Sequence, residues 1–95
     1  MLNHFNGIAK IIGKKVYWDC INGCNSINFT LRLCSKETKE EYIFEGKEFE
    51  AIFNENDIKK FNKYNDLNID DIIAFKGHFE NYSTMIMTIE SLKKC

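Results

Sequence analysis

Residues 67–80, LNIDDIIAFKGHFE, restrict the possible folds more than any other stretch of the 95-residue chain. Leu67 and Ile69 are apolar anchors ahead of an acidic turn at Asp70 and Asp71, and Ile72, Ile73, Ala74 and Phe75 then run apolar until Lys76 and Gly77. A short apolar run bounded by turn residues reads as a strand with little free surface. Gly77 inside that pattern marks a bulge, a bend or a close backbone approach. Late in a short chain, this order of turn, buried strand, glycine and polar exit is what the closing strand of a small barrel needs.

The preceding chain predicts the other walls. Across residues 6–18, Ile8, Ile11, Ile12, Val16, Tyr17 and Trp18 are interrupted by Gly7 and Gly13, the pattern of a long bent strand with Gly13 at its bulge or corner. Asn22 and Gly23, followed by Asn25 and Ser26, signal a hairpin. In residues 27–34, Ile27, Phe29, Leu31 and Leu33 alternate with Asn28, Thr30, Arg32 and Cys34, so one face is core and the other exposed. The charged SKETKEE reads as a solvated turn. Tyr42, Ile43 and Phe44, then KEFEAIF, predict either one strand broken near Gly46 or a hairpin with that glycine at its bend.

Residues 54–64 predict the one helix. Asn54 or Asn56 caps it, Asp57 favours its first turn, Lys59, Lys60 and Lys63 come later, and Ile58, Phe61 and Tyr64 form a stripe suited to plugging a barrel end. In the last strand Met85, Met87 and Ile89 alternate with Ile86, Thr88 and Glu90. The sum is an all-β fold with one short helix. Five strands with the helix between the third and fourth is the element order of the OB-fold, a Greek-key barrel, in a single domain covering residues 1–95.

Composition narrows the functions. A net charge of −1 supplies no bulk attraction to nucleic acid or to a membrane surface, although a neutral domain can still gather its lysines on one face. No apolar run approaches the length of a spanning helix, and MLNHFNG has neither the basic nor the apolar part of a secretory signal, so the expected location is the cytoplasm. Cys20 and Cys24 are spaced more widely than a common zinc pair, and no second close pair follows them. These thiols, with Cys34 and Cys95, are expected to be reduced, with no metal or other cofactor. There is no P-loop, GxSxG or HExxH, and a turn explains the one close carboxylate pair, Asp70 and Asp71, so no enzyme is expected.

Four stretches carry a resemblance: the start MLN, the second strand NFTLRL, the third strand ending EAIF before a helix, and LNIDDIIAFKG. Together they make the chain similar to the bacterial and phage single-stranded DNA-binding proteins, whose pattern has a strand of the form NFTLAV and a segment of the form LKKGSLVAVEG. The resemblance implies a homo-oligomer, dimer or tetramer, that binds single strands by stacking and basic contacts across the barrel face. It also implies that Phe53 is a stacking aromatic and that Lys10 is a basic position on the first strand. Asp70 departs from the family's usual glycine, which a turn tolerates because Asp enters left-handed geometry more readily than most residues. The family's Gly/Gln-rich acidic tail has no counterpart in this sequence, and ENYSTM is short for the loop between the last two strands.

Single-strand binding needs flat apolar faces for bases and cations for phosphates, a chemistry that accepts DNA or RNA. The stacking candidates are Tyr17, Trp18, Phe53 and Tyr82, and the phosphate candidates are Lys10, Lys14, Lys15, Arg32, Lys47 and Lys76. Lys14, Lys15, Tyr17 and Trp18 interleave both types within five residues. For Phe53, alternation with Phe49 and Ala51 argues core, whereas the resemblance argues ligand. His78 could meet a phosphate or be an ordinary strand residue. An alternative function is an OB-like protein-interaction module without nucleic-acid binding, favoured by the neutral charge, the absent tail and the exposed Glu48 and Glu50.

Overall fold

Strands that alternate apolar and polar residues can bury one face only by curling their sheet onto itself or covering it, and the computed structural model shows the first outcome. It describes residues 4–21, 23–37, 42–55, 58–79 and 86–95. The elements are β1 (His4–Asp19), β2 (Cys24–Leu33), β3 (Lys36–Glu37), β4 (Tyr42–Ile43), β5 (Glu48–Glu55), α1 (Ile58–Asn65), β6 (Ile72–Phe79) and β7 (Ile86–Lys94). Five of the strands close a barrel in the order β1-β2-β5-β7-β6, with β6 returning to pair with β1. All barrel pairs are antiparallel except β5 with β7. The helix falls between the third and fourth barrel strands, as the element order predicts.

The long first strand serves twice. Its start pairs with β6 from His4 to Lys10 and its remainder pairs with β2 from Ala9 to Asp19, with the register shifting between Ile11 and Gly13. The predicted corner at Gly13 is therefore real, and it lets the barrel close. At the other end of the hairpin, Gly23 has φ 65° and its amide donates to the Asp19 carbonyl at 2.8 Å.

β6 does close the barrel, but its apolar run is one-sided: Ile73, Phe75 and Gly77 are buried while Ala74 and Lys76 are exposed. Its outer face is the outside of the barrel, which gives the strand more free surface than a continuous apolar run predicts. At Gly77 the register with β7 shifts, and a Cβ there would lie 2.5 Å from the Thr88 carbonyl oxygen. Gly77 is thus a bulge and a close approach together. Opposite it, Glu90 and Ser91 both face out, so Met87, Ile89 and Leu92 fill the core and the simple alternation of the last strand ends at Glu90.

Neither alternative for residues 42–44 holds. Tyr42 and Ile43 pair with Glu37 and Lys36 as a separate two-stranded hairpin, and β5 starts only at Glu48. The cause is a fold-back: the Gly46 amide donates to the Leu33 carbonyl and the Leu33 amide to the Lys47 carbonyl, at 3.1 Å each, so the chain crosses the end of β2 before it can extend.

The helix is shorter than predicted, because Asn54 belongs to β5 opposite Ser26. Asn56 and Asp57, the other expected residues of its start, lie outside the described residues, as do Met85 of the last strand and Asn22 of the hairpin. Phe61 and Tyr64 are buried and plug the barrel with Leu67, and Tyr64 stands edge-on to Phe53 with ring centroids 4.4 Å apart. Ile58, on the same stripe, is 59% exposed.

The turn after the helix is tied to β1 by Asp70 N–H to the Ile11 carbonyl at 2.8 Å and Ile11 N–H to the Asp71 carbonyl at 3.0 Å. Asp70 has φ 77°, the left-handed geometry anticipated for it. The Asn68 amide donates to the Asp71 carboxylate at 2.8 Å, and this bond, with Lys94 at 3.4 Å, holds Asp71 below its usual carboxylate pKa.

Candidate nucleic-acid interface

Register sorts the outward side chains of β1, β2 and β5 into rows. Lys10, Arg32 and Glu48 form the first; Gly13, Thr30 and Glu50 the second; Lys15, Asn28 and Ile52 the third; Tyr17, Ser26 and Asn54 the fourth. In the first two rows the polar groups satisfy one another. Arg32 is ion-paired with Glu48, and the Thr30 hydroxyl donates to the Glu50 carboxylate at 3.1 Å. The Lys10 ammonium lies 5.7 Å from the Phe44 ring centroid, an arrangement the sequence does not suggest.

The third and fourth rows differ: neither contains a carboxylate. Lys15 is exposed, with its ammonium 6.0 Å from the Tyr17 ring centroid. Ser26 hydrogen-bonds Asn54 across the strands. Asn28 Oδ1 is buried and accepts no hydrogen bond among the described residues, an acceptor that a ligand N–H could satisfy. Beside it Ile52 is a half-buried apolar surface. A cation, an aromatic ring, an apolar side chain and a buried acceptor without a hydrogen bond therefore meet within two adjacent rows. Asn28 and Ile52 join the candidate residues; alternation alone turns both outward, but only register sets them beside Lys15.

The other predicted residues disperse. Lys14 and Trp18 leave the outer face, because a period of two sends them to the side opposite Lys15 and Tyr17. Lys14 donates to the carbonyl of Asn65, the last residue of α1, where a cation also complements the helix dipole. Trp18 is 60% exposed on the overhanging hairpin. Phe53 is 6% exposed and packed on Tyr64, so its alternation prevails and its ring lies in the core. Lys76 is exposed on β6, opposite Asn6 and Ser91 and away from β2 and β5. Tyr82 and the ENYSTM loop lie outside the described residues, as does the MLN start.

Lys47 stands at the barrel mouth, at the end of β5 remote from the helix. Phe5, Leu33, Phe49 and Phe79 line an open cavity of about 170 Å³ there, bordered by Lys47 and Glu48. The Phe5 ring centroid is 5.8 Å from those of Phe49 and Phe79 and 5.3 Å from that of Phe75. Elsewhere, His4 and His78 flank Glu90, with ring nitrogens 3.2 and 3.7 Å from its carboxylate, which gives His78 a strand neighbour of its own. None of the four cysteines is in a disulfide, and Cys24 is buried and Cys34 partly so. Among the described residues no group of three His, Cys, Asp or Glu side chains is placed to hold a metal ion, and no helix is long and apolar enough to cross a membrane.

Barrel order, helix position and bent first strand define an OB-fold of the single-stranded-DNA-binding-protein type. No family model and no curated protein matches the sequence. Solved structures match it over nearly its full length. PriB from Ralstonia solanacearum is 11% identical, with a TM-score of 0.75 and 100% of each chain covered. The small single-stranded DNA-binding protein from Streptomyces coelicolor is 12% identical, with a TM-score of 0.74, 100% of this chain and 94% of that one covered. The dimeric N-terminal domain of PriB from Thermoanaerobacter tencongensis is 10% identical, with a TM-score of 0.66, 98% of this chain and 96% of that one covered. At such identities the likeness establishes the fold, and residue roles rest on the geometry above.

Proposed function

We propose that this protein binds single-stranded DNA without sequence specificity, through the outer face of β1, β2 and β5, in support of DNA replication or recombination. The observation that carries the reading is the pair of adjacent rows, between those of Glu50 and Asp19, where Lys15, Tyr17, Asn28 and Ile52 lie side by side without a carboxylate among them, on a fold shared with proteins named for single-stranded DNA binding. Tyr17 and Ile52 offer surfaces to bases, Lys15 offers a phosphate contact, and Asn28 offers an acceptor. Lys10 and Arg32 extend the path along the sheet, with Arg32 partly neutralised by Glu48. The protein acts as one cytoplasmic domain and catalyses no reaction.

Homo-oligomer formation has its own support. From Gly13 to Trp18 the edge of β1 away from β2 has no backbone partner among the described residues, and an open edge is a template for a second strand. A second reading, a protein-interaction module, is favoured by Glu48 and Glu50 on the same face.

The test is fluorescence anisotropy of labelled oligo(dT), with oligo(rU) in parallel, at low and high salt. Binding that weakens with salt is expected, with Tyr17→Ala costing ~1 to 3 kcal/mol of affinity and Lys15→Ala reducing the salt slope by about 1. No binding at micromolar protein in low salt would sink this reading and leave the interaction module.

A further inference from the structure

We propose that the barrel mouth is a capture site for a single thymine base, the 5-methyl group entering the cavity and the polar base edge remaining at the opening. The inference rests on the single-strand reading above and gives it a base preference.

Size, lining and charge select that occupant. The cavity measures about 170 Å³, close to the ~150 Å³ at which an apolar cavity takes up one benzene ring, so it has room for the methyl group and the adjoining carbon edge of one base and not for a larger group. Phe5, Leu33, Phe49 and Phe79 present only carbon to it. A base pushed fully inside would lose the hydrogen bonds of its carbonyl and N–H edge to water without replacement. What gains by entering is apolar, and among the bases thymine alone carries a methyl group on the edge away from the sugar-facing carbonyl.

The mouth has a charge as well. Lys47 is exposed beside the opening and no carboxylate pairs with it among the described residues, while the neighbouring Glu48 is already engaged by Arg32. A ring with an anion next to it, the form of a nucleotide in a strand, suits this rim better than an uncharged apolar side chain. The position is also continuous with the proposed interface, because Glu48 borders the cavity and ends the row of Lys10 and Arg32. A strand lying along the rows reaches the mouth without leaving the sheet.

The experiment compares oligo(dT) with oligo(dU) of equal length on the wild-type protein at one ionic strength, since the two differ only by the methyl group. The expected result is about fourfold tighter binding of oligo(dT) for one captured base, the equivalent of one buried methyl. Leu33→Phe, which puts a ring into the cavity, should erase that ratio while leaving oligo(dU) binding within twofold. As a readout that needs no variant, the Leu33 methyl resonances should shift with oligo(dT) and far less with oligo(dU). Equal affinities, unmoved Leu33 methyls, or a ratio that persists in folded Leu33→Phe would each overturn the thymine site while the single-strand reading stands. Failure of both oligonucleotides to bind would remove the two together.

Discussion

The two ends of the barrel are lined by the same kind of side chain and finished in different ways. At one end Phe53 stands edge-on to Tyr64 of α1, and Ile27, Phe61 and Leu67 belong with them to one cluster in which all five are buried. At the other, Phe5 packs on Phe49, Phe75 and Phe79, and Phe49 on Phe75, yet a cavity stays open beside them. The strands contribute an apolar face to both ends, so strand composition does not decide which end is sealed. A helix laid across the plugged end does, and the difference seals one end and leaves the other with an open apolar cavity.

The largest effect separates the ends directly. Phe61→Ala should cost ~3 to 5 kcal/mol in urea unfolding, because it removes a buried ring from the plug, whereas Phe79→Ala at the partly exposed mouth should cost only ~1 to 2 kcal/mol. Equal costs would break the contrast and mean that the mouth is as tightly packed as the plug.

An open mouth does not require a loose seam. Near it, Gly77 faces Phe5 across β6 and β1 and admits the β7 backbone, with Thr88 O at 2.5 Å and Met87 Cγ at 2.7 Å from a would-be Cβ. Gly77→Ala should therefore destabilise by ~1 to 3 kcal/mol, as overpacking does, read as a lower urea midpoint with an unchanged slope. A neutral outcome would show that backbone as well as side chains yields at the mouth.

The smallest effect lies at the plugged end and depends on pH. The Asn68 amide, then Lys94 and Lys14, depress the Asp71 pKa below 3.8 against a partial desolvation that raises it. A depressed carboxylate contributes stability above its unfolded pKa and loses that contribution as pH falls through its folded value. Wild-type stability should thus decline below pH 3.8 with a component that Asp71→Asn lacks, detectable by comparing their melting temperatures from neutral pH down to acid. Parallel curves would detach Asp71 from the turn that anchors the helix exit to β1.

Much of the barrel is legible in the chain because its cues are local. Alternation along residues 27–33 needs only the geometry of one strand, and it identifies the buried face correctly. Gly13, Gly23 and Gly77 are marked by the lack of a side chain, and Asp70 by its tolerance of positive φ. The interface is less legible. Lys14 to Trp18 look like one cluster in sequence, but a period of two splits them, and the helix end that claims Lys14 lies 51 residues further along the chain. Phe53 shows the reverse: local alternation is right where resemblance to a distant family is not.

The sequence by itself determined five strands, one helix, their order and the inward side of most of them, since each follows from backbone geometry and the cost of exposing apolar surface. Tertiary structure alone decided that residues 42–43 form a hairpin apart from β5, that Asn28 and Ile52 sit beside Lys15, and that one barrel end is closed while the other stays open. Those outcomes depend on register and on which distant element covers which face. Register is a relation between strands, so no single stretch of sequence encodes it.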